Sequence, residues 1–134
     1  MRIVCKRLCR GDDLLGGIRA LARAEGLRAA VVLSGVGCVS RARVRDAGGA
    51  NVRPIDEPCE IVSLTGTVSA ARTHLHIALA KGDLSTVGGH LCEGCVVNTT
   101  CELVLAELDG WEYGAEPDAA TGYQEIVFRR ARTC

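Results

Sequence analysis

The chain reads as an α+β domain: a mostly antiparallel sheet of about seven strands with one main helix near the N-terminus. Three observations predict this. A single amphipathic stretch, Leu14, Leu15, Ile18, Leu21 and Ala22, has helical spacing. It follows one alternating segment at residues 2–8, and nearly everything after it carries strand signals. At 134 residues the chain suits one domain, residues 1–134, large enough to bury its own core.

Each element has a local reason. Residues 2–8 alternate and predict the first strand. Asp12 and Asp13 offer N-caps for the helix, and Gly26 is placed to end it in a left-handed conformation. Gly16 and Gly17 weaken the helix from inside, which predicts a close backbone approach there. Ala29 to Val36 is a short apolar run expected to be a buried strand, and Val39 to Asp46 alternates as the next. Ser34-Gly35-Val36-Gly37 resembles part of a nucleotide-binding glycine loop, but the full GxGxxG is missing and no helix follows. The glycines are better read as a strand bend or bulge. Ala47 to Pro58, with Gly48, Gly49, Pro54 and Pro58, predicts a loop. Cys59 to Val68, Thr73 to Ala80, Val96 to Leu108 and Glu125 to Arg130 complete the strands. Asp109-Gly110 marks a turn, and Glu116 to Gly122 a polar loop.

Composition narrows the function. Apolar residues make up 48% and charged residues 24% of the chain, as in ordinary soluble domains. One Trp, one Phe and two Tyr leave few platforms for stacking bases, so single-strand binding by stacking is disfavoured. Sixteen basic residues balance sixteen acidic ones, which argues against strong non-specific DNA binding. The opening MRIVCKRLCRGDD has scattered charges and no long apolar run after it, and no stretch approaches a membrane span. A cytoplasmic location follows, with most of the eight cysteines reduced and acting as small hydrophobes.

The chemistry is concentrated in the histidines. All three fall within residues 74–90: His74 and His76 flank Leu75, and His90 follows Gly88-Gly89. On a strand, residues two apart share a face, so His74 and His76 project together, opposite Leu75, Ile77 and Leu79. A turn would return His90 to meet them, and the glycine pair allows a tight approach. Three imidazoles are the ligand set of a divalent metal site, zinc above all, that keeps a position open. Glu93 and Glu102 are the nearest acids in sequence. They are candidates for a fourth ligand, a second partner or a catalytic general base, or else are solvated carboxylates. Cys92 and Cys95 form a lone CxxC without a second pair, and buried or incidental thiols are the expectation. Arg41, Arg43 and Arg45 share one strand face, with Arg129, Arg130 and Arg132 near the C-terminus. A solvated face is the commoner cause of such a stripe, a phosphate contact the rarer.

The segments DDLLGGIRALARAEGLRAAVVLSGVGCVSRARVR, EIVSLTGTVS, HLHIALA, GGHLCEGCVVNTTCELVL and GYQEIVF, in this order, resemble the stand-alone bacterial form of the PPC (plants and prokaryotes conserved) domain. The resemblance implies a PPC-like fold assembled as a homotrimer, with His74, His76 and His90 binding a metal near a cleft between subunits. It also implies a DNA-binding or regulatory role, since the plant members join this domain to an AT-hook, Arg-Gly-Arg-Pro. No such tetrapeptide occurs here. The plant partner-contact segment Gly-Arg-Phe-Glu-Ile-Leu corresponds to Glu57-Pro58-Cys59-Glu60-Ile61-Val62, which keeps only the Glu-Ile pair.

Three readings of the histidines remain open: a metal-holding binding module with nucleic acid as a partner, a metal-dependent hydrolase or lyase acting on a small polar molecule, and a structural staple between subunits.

Overall fold

The computed structural model describes residues 1–131. Among them are one helix and nine strands: β1 (Arg2–Cys9), α1 (Leu14–Ala24), β2 (Ala30–Arg45), β3 (Val52–Ile55), β4 (Cys59–Val68), β5 (Thr73–Ala80), β6 (Thr86–Leu91), β7 (Val96–Glu107), β8 (Trp111–Pro117) and β9 (Gln124–Arg130). Seven strands form one antiparallel sheet in the order β1-β7-β2-β4-β5-β6, with β3 on β2; β8 and β9 make a separate hairpin. Arg132 of the C-terminal basic group lies outside the described residues.

The helix forms where its stripe and caps place it. Leu14, Leu15, Ile18, Leu21 and Ala22 are buried, and α1 packs against β1 and β7. The Asp13 carboxylate accepts from the Gly16 N–H at 2.8 Å, capping the first turn. Its other oxygen accepts from the Gly94 N–H at 2.7 Å, which ties the helix start to the turn between β6 and β7. A Cβ at Gly17 would stand 2.8 Å from a Leu8 methyl, so what approaches the helix there is a side chain and not the backbone the glycine pair predicted. Gly26 takes a φ of 60° just past the helix end.

Four further sequence expectations are corrected. The two strands predicted between Ala29 and Asp46 are one strand, β2, whose register shifts at Val32/Ser34 and Gly37/Val39 absorb the glycines as irregularities. Its backbone passes so close to β7 that a Cβ on Gly37 would lie 2.1 Å from the Thr100 carbonyl oxygen. The predicted loop Ala47 to Pro58 contains β3, where Pro54 sits on an edge strand that tolerates it. Strand β6 runs through Gly88-Gly89, and β8 takes in the first two residues of the predicted loop from Glu116.

Strand β6 positions the site. It pairs with β5 along one edge, and its end pairs with the end of β2 along the other, Val44 opposite Leu91 and Arg45 opposite His90. Strands β2, β4, β5 and β6 therefore close into a ring. Its apolar interior includes Leu75, Ile77, Leu79, Leu91, Val44 and Leu64, all at most 5% exposed.

Candidate metal centre

The histidine face is the outer face of that ring. On β5, Leu75, Ile77 and Leu79 point inward while His74 and His76 stand exposed on the opposite side. Register then supplies the rest. His76 faces His90 across β5–β6, His90 faces Arg45 across β6–β2, and His76 faces Thr65 across β4–β5. One row across the sheet thus reads Thr65, His76, His90, Arg45, with His74 beside Thr67 one step along. Strand β6 reaches this position because it lacks side chains where the backbones crowd. A Cβ at Gly88 would sit 2.3 Å from the Ile77 carbonyl oxygen, and one at Gly89 2.5 Å from that of Arg45.

The three imidazoles converge. Their ring centroids are 5.1, 5.2 and 5.7 Å apart, and one nitrogen from each lies within 4.8 Å of the others. A cation with bonds of about 2.0–2.1 Å fits such a group after small side-chain rotations. Nδ1 of His90 is buried without a hydrogen-bond partner among the described residues, an orphan that a metal ion or a bound molecule would satisfy. Burial, then the charge of Arg45, pushes His90 down to about 4; burial, then His76 and Arg72, lowers His74. Both rings are therefore neutral at pH 7, the form a metal requires.

Two cavities flank the rings. One, of about 150 Å³, is lined by Thr65, Gly66, Thr67, His74 and His76. The other, of about 230 Å³, lies between the histidines and the end of the β8–β9 hairpin. It is lined by Arg45, Arg72, Thr73, His74, His90, Tyr123, Gln124 and Glu125. The hairpin is anchored by the Tyr113 hydroxyl donating to the Ala30 carbonyl at 3.2 Å and the Tyr113 N–H donating to the Arg28 carbonyl at 3.1 Å, while Tyr113 and Phe128, packed edge to face at 5.4 Å, join its two strands.

The two acids named from sequence stand elsewhere. Glu93 is an exposed residue of the β6–β7 turn, paired with Arg19 at 2.8 Å. Glu102 is exposed on β7, opposite Arg7 and Val36, three strands from β5 in the sheet. The carboxylate that lines the histidine cavity is Glu125, which sequence reasoning missed because it sits more than thirty residues beyond His90. The arginine stripe divides: Arg43 is held by Asp56 at 2.7 Å, while Arg45 joins the histidine row. Cys92 and Cys95 are free thiols in the β6–β7 turn. Burial pushes Cys95 up to about 11, the opposite of a reactive thiolate.

The family model described as the Plants and Prokaryotes Conserved (PCC) domain matches residues 1–109. The chain belongs to this family. Among curated proteins, the PCC domain is 39% identical over 126 residues to part of the bifunctional protein GlmU of a Synechococcus strain. That match takes in 94% of this chain but only 20% of the relative, so the chain spans about a fifth of its length. Among solved structures, a hypothetical protein from Salmonella cholerae-suis matches with a TM-score of 0.93 at 31% identity, covering 96% of this chain and 94% of that one. A metal-containing protein from Archaeoglobus fulgidus matches with a TM-score of 0.79 at 27% identity, covering 95% and 94%.

Proposed function

We propose that this PCC domain is a metal-binding module in which His74, His76 and His90 hold one divalent cation, zinc by the chemistry of an all-imidazole set. The observation that carries the reading is the meeting of three imidazole nitrogens within 4.8 Å on the outer face of paired strands. The Archaeoglobus relative described as metal-containing supports it. Such a cation, when bound, offers an open position to water or an oxygen ligand and polarises what it holds. The module's role is binding or regulation rather than firm attachment to DNA. The charges balance, and Arg43 spends its guanidinium on Asp56.

Three further statements belong to the proposal. Residues 1–134 act as one domain. The protein is a homotrimer, which would cover Ile3, Leu33, Val36 and Val62, each about half exposed on β1, β2 and β4. It works in the cytoplasm, a location suited to the free thiols at Cys59, Cys95 and Cys101; no helix among the described residues is long and apolar enough to cross a membrane.

Elemental analysis of freshly purified protein tests the central reading. About one zinc per chain is expected, falling below about a tenth of that in His74→Ala/His76→Ala. Wild-type protein without stoichiometric metal after zinc loading and dialysis would sink it. Light scattering with and without chelator checks the trimer and tells a metal staple from a bound cofactor. A mobility-shift assay is expected to give weak duplex binding that weakens with salt.

One observation favours a second reading. Glu125 places a carboxylate on the cavity of His74 and His90, where it would hold or pass a proton in metal-dependent hydrolysis or lysis of a small polar substrate. A turnover screen with and without chelator separates this enzyme from the binding module.

A further inference from the structure

We propose that the cavity between the histidines and the β8–β9 hairpin binds a small molecule through an oxyanion, a carboxylate or a phosphate, seated on the guanidinium groups of Arg45 and Arg72. The inference deepens the metal-site reading above and rests on it for the neighbouring cation.

Arg45 is the first argument. Arg19, Arg28 and Arg43 each meet a carboxylate within 2.8 Å. Arg45 has no such partner among the described residues, although it is half-buried and lines the cavity. Its position is fixed by register, directly opposite His90 on the histidine face, so its charge rises beside the imidazoles.

Arg72 is the second. Its Nη1 donates to the Gln124 carbonyl at 2.9 Å, and its Nε is buried with no acceptor among the described residues. A buried guanidinium donor without an acceptor costs stability, and an oxyanion supplies one in the geometry a guanidinium prefers. Arg72 also borders a second polar cavity of about 220 Å³, which Arg23 and the Glu93-paired Arg19 line.

Charge balance is the third. Against Arg45, Arg72 and a divalent cation, the cavity wall offers one carboxylate, Glu125. The remaining polar groups on that wall, from Tyr123, Thr73 and Gln124, are uncharged. A partly enclosed space with that excess draws and holds anions. Neutral or cationic molecules of the same size gain nothing from it.

Calorimetric titration of the zinc-loaded protein with malonate and, separately, with inorganic phosphate tests this, with zinc content measured on every sample. Saturable binding of at least one anion is expected, and the arm that binds tells carboxylate from phosphate. Arg45→Gln should keep its zinc yet weaken the anion at least about tenfold, as expected for loss of a charge-assisted hydrogen bond. Arg45→Lys should recover part of the loss, and Glu125→Gln should tighten binding by removing the one opposing charge. Failure of the wild-type protein to retain zinc defeats the metal reading alone. The metal-free protein is then titrated, and loss of its anion binding in Arg45→Gln still supports the arginine seat. No saturable binding of either anion, or equal affinity in wild type and Arg45→Gln, overturns the inference.

Discussion

Strand β5 carries two regions of opposite purpose only a pleat apart. Leu75, Ile77 and Leu79 face the ring interior and are at most 3% exposed, while His74 and His76 face outward. The inner row is held by exclusion of water, which is non-directional and tolerant of chemistry but not of lost volume. The outer row, on the proposed reading, depends on where three nitrogens sit, and would tolerate lost volume and not lost register. The contrast teaches that a strand can be chosen for its core by one set of residues and for its chemistry by the other, with little thermodynamic overlap.

The sharpest way to break the contrast is to attack the inner row. Leu79→Ala should cost about 2–5 kcal/mol, read by urea denaturation of the metal-free protein. Attacking the outer row should do the reverse. His76→Ala is expected to lower zinc affinity by at least about a hundredfold, by competition with a chromophoric chelator, while metal-free stability moves by less than about 1 kcal/mol. If that variant unfolds instead, the two rows are not separable. Gly88→Ala falls between them: its Cβ would push on the Ile77 carbonyl, costing about 1–3 kcal/mol and carrying His90 away from its partners. Both readouts should therefore fall together.

The pH profile sharpens the comparison more gently. His90 in the folded chain titrates near 4 and His74 is also lowered, so between pH 6.5 and 4 the unfolded chain binds more protons than the folded one. The contribution of these two histidines to metal-free stability should be fully present above 6.5 and be lost as the pH falls through that window. His90→Gln should flatten the decline, and a profile equally steep in both proteins would show that other groups cause it. The smallest effect expected is none: Glu102→Gln should leave zinc content unchanged by elemental analysis, since Glu102 stands three strands from β5.

Legibility followed the range of the forces involved. The helix, its Asp13 cap and the exact bounds of β4 and β5 were readable because capping and alternation are local. His74 and His76 were readable for the same reason. His90 could be suspected only from its glycines, and those same glycines hid β6, since a strand whose side chains are removed to admit its neighbours loses its pattern. Arg45 was visible as part of a stripe, but its place beside His90 depends on β2–β6 pairing across forty-five residues of chain. Glu93 and Glu102 were near the histidines in sequence only, whereas Glu125 arrives by the folding back of a distant hairpin. The two strands expected between Ala29 and Asp46 merge because glycine allows a ladder to bend without ending.

The family match stops at residue 109, yet Tyr123, Gln124 and Glu125 furnish one wall of the larger cavity. Floor and wall of the cleft thus come from different parts of the chain: the floor from the seven-stranded sheet, the wall from a two-stranded ribbon with its own pairing. On the proposals above, exchanging that ribbon between homologues is expected to change which anion binds without changing zinc content, since His74, His76 and His90 all lie on β5 and β6.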